Sequence, residues 1–262
     1  MTLARVAEYS ARDLFEYQTL FDARGDLYTR ANRRCPEARA EEAAAILSHL
    51  ALTPASRWLD VAAGGGYLSE RAVAQGLPPA RVSCDESLPF LRSGTHAGRV
   101  GAASAGDLPF ADGRFDAVAC LAALHHAEDP EAVLRELLRV TAPGGRAALG
   151  DVAEDSEAAR FLNGFVDRHT APGHRGRFYP LATLAGFLQR AGGTSVRAES
   201  VRLSWTFDSP EDAALFCRDL FGLEPSTADG EIRRALDGLG AARGTGGFRV
   251  PWTMHYVSAA RA

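Results

Sequence analysis

Short apolar runs alternate with amphipathic stretches along the first part of the chain. Residues 56–63 and 115–124 are mostly apolar, which is typical of strands buried on both faces of a sheet, and residues 81–85 predict another short strand. Residues 129–145 instead repeat apolar positions at helical spacing, and Pro143, Gly144 and Gly145 are expected to stop that helix. Because such strands and helices alternate, the pattern predicts a parallel sheet covered by helices on both faces.

The two ends of the chain have a different pattern. Residues 1–35 mix aromatic and charged residues without strand alternation, which predicts helical pieces before the main fold, and Pro36 is expected to open the next helix. Beyond Asp151 we expect a helix, a loop rich in glycine, proline, histidine and arginine at 171–180, and later strands. The last strand is expected over 247–262, and its Pro251 suits an edge or a strand start.

Composition narrows the class of protein. Hydrophobic residues make up 46% and charged residues 24%, and the N-terminal residues are too charged for a signal-peptide core, so we expect a cytoplasmic protein. No apolar run is long enough to cross a membrane. The four cysteines are far apart, which argues against a disulfide framework or a structural zinc site. A net charge of −4 with no basic stripe argues against nucleic acid as a partner.

The first predicted strand ends in Asp60 and is followed by three consecutive glycines at 64–66. Ligands of open parallel sheets bind at this edge, and a dinucleotide would lay its pyrophosphate on the helix that follows. Asp60 would repel that anion, however, and the third glycine of the dinucleotide pattern would fall at Ser69. An NAD-dependent oxidoreductase is therefore the less favoured alternative.

A cationic cofactor resolves this conflict. S-adenosylmethionine has an ammonium, a sulfonium and no phosphate, so its ammonium can face Asp60. Asp85 ends the second strand, where a carboxylate can accept both ribose hydroxyls, with Glu86 as an alternative ribose ligand. Each feature also has a simpler interpretation. The glycines can form a tight turn that serves packing alone, and Asp85 can be an acid at a helix N-terminus.

Four blocks of sequence, in this order, resemble the class I S-adenosylmethionine-dependent methyltransferases, in the branch of the ubiquinone and menaquinone ring methyltransferases. The blocks are LDVAAGGG, VSCDESLPFL, DLPFADGRFDAV and ALHHAEDPEAVLRELLRVTAPGG, within residues 58–150. The resemblance implies a doubly wound, mostly parallel, Rossmann-like sheet of seven strands in the order 3-2-1-4-5-7-6, with an antiparallel last strand. It also implies helical lid elements from the two ends of the chain.

The resemblance implies a set of cofactor contacts at the ends of the first four strands. These are Asp60, Ala62, Gly64, Gly66, Asp85 with Glu86 as its alternative, Ser104, the backbone of Ala105, and Leu121 under the methionine part. Two positions depart from the family pattern. Ala62 replaces the first glycine of the loop, and Ser104 replaces the acid that often binds the adenine amino group.

Methyl transfer depends mainly on alignment, which is worth about 7–11 kcal/mol. A base is needed only for a protonated acceptor, and histidine suits that role because its pKa lies near neutrality. His125 and His126 follow the fourth strand, so one of them is expected to face the cleft, with a scaffold role as the alternative.

The loop at 171–180 is expected to be a lid, in which His174, Arg175 and Tyr179 contact a polar or anionic acceptor, with a solvated loop as the alternative. The pair His169 and His174 raises the question of a metal, but no carboxylate–histidine cluster accompanies it in sequence, so we expect none. Tyr17 and Tyr28 have a core interpretation, and as part of an aromatic group before the first strand they can also close over the cofactor.

Together these features predict an enzyme that methylates O, N or C of a small, partly apolar metabolite, as in biosynthesis, and releases S-adenosylhomocysteine. The alternative is a non-catalytic subunit that binds S-adenosylmethionine. We expect a monomer or homodimer with one domain over 1–262. Its parts would be an N-terminal helical lid (1–35), a cofactor-binding core (36–151) and acceptor-side insertions with the last strands (152–262).

Overall fold

The computed structural model describes residues 16–262, with only the backbone of Glu16, so predictions for residues 1–15 lie outside the described residues. The helices are α1 (Glu16–Arg34), α2 (Ala40–Ser48), α3 (Tyr67–Ala74), α4 (Leu88–Ser93), α5 (Pro130–Val140), α6 (Glu157–Phe161), α7 (Asp167–His169), α8 (Leu181–Arg190), α9 (Pro210–Phe221) and α10 (Asp229–Gly238). The strands are β1 (Trp58–Val61), β2 (Val82–Asp85), β3 (Arg99–Ala102), β4 (Phe115–Leu121), β5 (Thr141–Val152), β6 (Gly193–Phe207), β7 (Ala242–Gly244) and β8 (Gly247–Arg261).

One sheet organises the described residues, in the order β3-β2-β1-β4-β5-β8-β6. The strands β1 to β5 are mutually parallel, and β8 lies antiparallel between β5 and β6. The short β7 pairs only with β8, so β8 is the seventh strand of the main path. The predicted fold class and strand order are therefore confirmed.

The central strands are buried because their two faces pack against different apolar layers. In β1, Trp58 contributes to one apolar cluster, whereas Leu59 and Val61 contribute to the other. In β4, Ala119 and Cys120 alternate between the same two clusters. Side chains of a strand alternate between its faces, so continuous apolar runs are the sequence pattern of strands covered on both sides.

Several element boundaries differ from the predicted ones. Helix α2 begins at Ala40, four residues beyond Pro36, which belongs to the preceding turn. Helix α5 ends at Val140, before the proline–glycine–glycine that was expected to stop it, because Thr141 already begins β5. Helix α10 and the hairpin of β7 and β8 were not predicted.

Pro251 lies within β8 instead of at its start. At this position β8 pairs with β6, whereas its pairing with β5 extends only from Met254 to Ala260. Pro251 thus lies in the part of β8 that has no β5 partner. The missing N–H of proline is tolerated there for the same reason as at a sheet edge.

Helix α1 packs across the carboxyl edge of the sheet against α4 and α9. Arg30 makes two hydrogen bonds to the carboxylate of Asp219 on α9, at 2.9 and 2.6 Å. The hydroxyls of Thr29 and Ser93 are hydrogen bonded at 2.5 Å, which joins α1 to α4. These contacts place the aromatic side chains of α1 over the ends of β1 and β4.

A buried ion pair joins the turn before α2 to its first helical turn. Arg39 and Glu42 form a two-pronged salt bridge, and their side chains are 3% and 1% exposed. Arg39 also donates to the hydroxyl of Tyr28 at 2.5 Å, and Trp205 donates its indole N–H to Glu42 at 3.0 Å. The pair therefore connects α1, α2 and β6.

We predict that Glu42→Ala lowers the free energy of unfolding by about 3–5 kcal/mol, because it leaves the Arg39 guanidinium buried without its carboxylate. The matched control is Glu157→Ala, which removes the same type of pair from an exposed helix, where both side chains are about 60% exposed. That control is expected to change stability by less than about 1 kcal/mol. Urea denaturation measures both, and equal effects would contradict the prediction.

Candidate active site

A cavity of about 380 Å³ at the carboxyl edge of the sheet is bounded by the loops after β2 and β3 and the start of α5. Three residues that the sequence predicted for nucleoside contacts lie on its wall, namely Glu86, Ser104 and Ala105. Ala62 and Tyr17 form its inner end. The volume and position suit the adenosine part of a cofactor.

A second cavity of about 50 Å³ lies between the glycine loop and α1. Predicted cofactor residues on its wall are Asp60, Ala62, Gly64, Leu121, Tyr17 and Tyr28, and the ring of Phe90 closes one side. Tyr17 and Ala62 line both this cavity and the larger one. The two cavities are therefore neighbours, separated by the tyrosine.

Asp60 faces the second cavity with an unpaired carboxylate oxygen. The residue is 1% exposed, and its Oδ2 has no hydrogen-bond partner among residues 16–262. Burial, and secondarily the charge of Asp85, raise the pKa of Asp60 to about 8. A buried acceptor of this kind is costly unless a ligand satisfies it, and a cationic donor satisfies it best. The residues of this cavity thus fit the ammonium of S-adenosylmethionine.

The glycines of the loop are required mainly by close packing and backbone conformation. A Cβ on Gly64 would lie 2.4 Å from the ring of Phe90, and its φ of +49° lies in the left-handed region. Gly66, at +87°, precedes α3, and a Cβ there would lie 2.5 Å from the carbonyl oxygen of Thr95. Gly66 does not line the cavities of about 380 and 50 Å³, and its contact with the cofactor stays a prediction.

Ala62, which replaces the expected first glycine, also adopts a left-handed backbone, with φ of 55°. Ala122, just beyond β4, does the same at 54° and lines the second cavity. A left-handed conformation costs a residue with a Cβ roughly 1–2 kcal/mol. Such strain often occurs at functional sites, where the surrounding structure holds it in place.

Asp85 is held by protein donors on both oxygens. Its Oδ2 accepts hydrogen bonds from the N–H of Gly64 and the hydroxyl of Tyr17, both at 3.0 Å, and its Oδ1 accepts from the N–H of Ser87 at 2.9 Å. Burial raises the pKa of Asp85 to about 6, although these hydrogen bonds act in the opposite direction. The hydroxyl of Tyr17 therefore occupies a position on Asp85 where a ribose hydroxyl was expected.

A third cavity, about 60 Å³, lies on the other side of His126 and has aromatic walls. We call it the acceptor cavity. Apolar and aromatic side chains from α1, β6, α9 and β8 line it, including Phe21, Tyr28, Trp205, Phe221 and Trp252. Its polar lining comprises His125, His126 and His174, the guanidinium of Arg24, and the buried ion pair of Arg39 and Glu42.

The three histidines form a compact cluster, which we call the histidine cluster. Ring centroids are 4.1 Å apart for His125 and His126, 5.5 Å for His125 and His174, and 5.4 Å for His126 and His174. Burial and the neighbouring histidines lower the pKa of His126 well below its usual value. Burial, followed by the charge of His125, lowers the pKa of His174 to about 3. Both are therefore neutral imidazoles near pH 7.

Two members of the histidine cluster have fixed partners. His125 makes a hydrogen bond from Nδ1 to Oδ1 of Asp151 at 2.7 Å, and its backbone N–H donates to the other oxygen at 2.9 Å. His174 contacts Oδ1 of Asn163 through Nδ1 at 3.2 Å. His169 lies apart from the cluster, bonded to the carbonyl of Phe165 and to Glu231.

Three residues of the site were not predicted from the sequence, namely Asp151, Asn163 and Arg24. Asp151 lies near the end of β5, beside β4, and the rule that polar residues at strand ends meet at one edge could have found it. The other two become site residues only through packing of α1 and of the helix that follows β5. Tyr179, expected near the acceptor, packs instead against Phe187 in the other apolar cluster.

Residues 59–149 match a known family described as "Methyltransferase domain". The chain is similar to the demethylmenaquinone methyltransferase of Corynebacterium urealyticum, at 36% identity over 53% of this chain and 61% of the relative. It is also similar to that of Streptomyces griseus, at 32% identity over 58% and 74%. A solved structure of Haemonchus contortus phosphoethanolamine N-methyltransferase 2 with S-adenosyl-L-methionine has the same fold, with a TM-score of 0.64, 13% identity, and coverage of 97% and 60%.

The fold and the cavities define a protein that binds a nucleoside cofactor at the carboxyl edge of its sheet. The chain belongs to the class I S-adenosylmethionine-dependent methyltransferases, and its cofactor is S-adenosylmethionine, as the sequence predicted. It spans 61% of the length of the Corynebacterium relative. No helix among residues 16–262 is long and apolar enough to cross a membrane.

We predict that Asp60→Asn stabilises the cofactor-free protein, and that the gain is larger at pH 8 than at pH 5 by at least about 1–3 kcal/mol. The folded-state pKa of Asp60 is raised, so its ionisation costs stability as the pH rises from the unfolded value toward 8. The same variant is expected to bind S-adenosylmethionine at least about tenfold more weakly, because the carboxylate charge is lost. Thermal unfolding at both pH values and calorimetric titration measure these effects. A variant that is destabilised at pH 8 or binds normally would contradict the prediction.

We predict that Tyr17→Phe tightens S-adenosylmethionine binding by up to about fivefold, because the ribose no longer competes with the tyrosine hydroxyl for Asp85. Equilibrium titration of the purified variant beside wild type measures the change. Weaker binding would instead mean that the hydroxyl contacts the cofactor directly, as the sequence analysis predicted for this residue.

Proposed function

We propose that the protein transfers the methyl group of S-adenosylmethionine to a small, partly aromatic metabolite with an ionisable hydroxyl. The observation that carries this proposal is the position of His126, whose side chain lines both the large cavity and the acceptor cavity. An acceptor in the second of these spaces would therefore lie next to a methyl donor in the first, with His126 at the border of both.

The walls of the acceptor cavity support this acceptor class. Trp205 and Trp252 are stacked with centroids 4.1 Å apart, which provides flat apolar surface for an aromatic ring. Arg24 contributes a cation whose Nε is buried without a partner among the described residues. The relatives named as demethylmenaquinone methyltransferases support the same class of acceptor. The proposed acceptor thus combines an aromatic body with an oxygen that is or becomes an anion.

The cofactor, when bound, supplies an electrophilic methyl group on a sulfonium. Asp60 would hold the cationic end of the cofactor, and the aromatic walls would orient the acceptor and exclude water. The chemistry that the cofactor would supply is transfer of that methyl group to a nucleophilic O, N or C of the acceptor, with the electron pair of the broken carbon–sulfur bond remaining on sulfur. S-adenosylhomocysteine is the product.

His125 is the member of the histidine cluster best supported as proton acceptor. The carboxylate of Asp151 only accepts hydrogen bonds, so His125 holds its proton on Nδ1 and has a free electron pair on Nε2. The acceptor's proton would move to that Nε2. His126 and His174, as neutral imidazoles, would position the acceptor's oxygen beside Nε2 of His125.

Under the proposed function, three parts of the chain have separate roles. Residues 36–151 would bind the cofactor, α1 would act as the N-terminal lid, and residues 152–262 would build most of the acceptor side. Support comes from the acceptor cavity, whose lining side chains come mainly from α1 and from positions beyond Val152. The partner would be a small molecule, in line with the relatives.

The test is transfer of labelled methyl from S-adenosylmethionine to a panel of hydroxylated naphthalenes and quinols. With an active hydroxyl acceptor, His125→Gln and Asp151→Asn are expected to lower kcat by about 10²–10⁴-fold while cofactor binding persists. The matched control His169→Gln should keep near-normal turnover, because His169 lies outside the cavities. Cofactor binding without product from any acceptor would support the non-catalytic alternative. Normal turnover of His125→Gln would rule out the base.

A further inference from the structure

The histidine cluster has the composition of a metal site. Ligand nitrogens of His125, His126 and His174 all lie within 4.8 Å of one another, and His125 and His174 are buried. We propose that these three side chains bind one divalent transition-metal ion of the zinc type in the acceptor cavity. Only the consequence for catalysis rests on the proposed function; the binding site itself does not.

The spacing requires little adjustment. Zinc bonds to imidazole nitrogen are about 2.0–2.1 Å long, so tetrahedral ligands are about 3.3 Å apart. Nitrogens at most 4.8 Å apart therefore need to approach by no more than about 1.5 Å, which is within the reach of side-chain rotation. The centroid distances of His174 to the other two rings, 5.5 and 5.4 Å, already suit rings directed at a common centre.

Hydrogen bonds fix the orientation of two of the three rings. Oδ1 of Asn163 accepts from the N–H of Gly176, and Nδ2 of Asn163 donates to the Gly176 carbonyl, both at 2.8 Å, so the amide orientation is determined. Nδ1 of His174 must then be the donor to Asn163, which leaves its Nε2 with a free electron pair. Asp151 imposes the same tautomer on His125.

This arrangement is the usual outer shell of a bound metal. Histidine ligands commonly donate their second ring N–H to a carboxylate or carbonyl oxygen, which sets the tautomer and raises the basicity of the ligand. His126 has ring contacts to Tyr17 and Phe21, and no hydrogen bond to its ring nitrogens is found among residues 16–262. Its nitrogens are thus available to a ligand that the other two rings share.

Three protein ligands leave a fourth position open, as in catalytic zinc sites. The open position would face the acceptor cavity, where Arg24 adds a second positive charge. Because a dication beside a guanidinium favours an anionic fourth ligand, that ligand would be hydroxide or the oxygen of the acceptor. A metal-bound acceptor oxygen loses its proton to solvent more readily, and His125 would then be a ligand in place of a base.

The test is titration of chelator-treated protein with Co²⁺, followed by its visible absorption, and then displacement by Zn²⁺. We expect about one Co²⁺ per chain with the intense bands of low-coordinate cobalt. Asp151→Asn is expected to weaken Co²⁺ binding by about 10–100-fold. His174→Gln should abolish the cobalt spectrum, whereas the matched control His169→Gln should bind like wild type.

Retained S-adenosylmethionine binding checks that each variant is folded, and the Asp151→Asn result carries the test if His174→Gln does not fold. Absence of a cobalt spectrum in wild type, or equal binding by His174→Gln and wild type, would overturn the proposal. The titration contains neither cofactor nor acceptor. Failure of methyl transfer would therefore leave the metal result unchanged, and failure of metal binding would leave the methyl-transfer test unaffected.

Discussion

The unpaired carboxylate oxygen of Asp60 is the constraint around which the site is arranged. The sheet holds this carboxyl at the end of β1, where burial raises its pKa to about 8 and where no described residue donates to Oδ2. Retaining an unsatisfied acid in the core costs stability, unless a ligand supplies the missing charge. In our account that ligand is the cationic end of S-adenosylmethionine, so part of the folding free energy is recovered only when the cofactor binds.

The rest of the site follows from the meeting of parallel strands at one edge. The carboxyl ends of β1 and β2 carry Asp60 and Asp85, which we assign to the cofactor side. The neighbouring strands β4 and β5 end near His125 and Asp151, which belong to the acceptor side. Because β1 and β4 are adjacent, the two halves share one boundary, and His126 lies on it.

The cofactor half could be predicted from the sequence because its determinants are local. Each strand, its terminal acid and the glycine turn lie within about a dozen residues, and the period of the apolar pattern sets their order. The cavity walls include four residues that were predicted from their positions just beyond strand ends, namely Glu86, Ser104, Ala105 and Leu121. The local sequence pattern does not reveal that the Tyr17 hydroxyl binds Asp85, because this contact depends on how α1 packs.

The acceptor half was predicted less completely because its contacts join distant segments. His174 reaches His125 only because the helix after β5 folds back over the sheet and Asn163 anchors the following loop. Along the chain, the histidine nearest to His174 is His169, so that pair was considered for a metal and none was expected there. Pairing with His125 and His126 depends on tertiary packing, and the buried pair of Arg39 and Glu42 was missed for the same reason.

The most direct test of the Asp60 account is the proton balance of cofactor binding. Calorimetric titration of S-adenosylmethionine near pH 7, repeated in buffers with different ionisation enthalpies, gives the number of protons exchanged. A carboxyl that is protonated in the free protein and ionised beside a cation predicts release of about one proton per cofactor, and affinity that rises from pH 6 to pH 8. Binding without proton release, and with affinity independent of pH over that range, would contradict it.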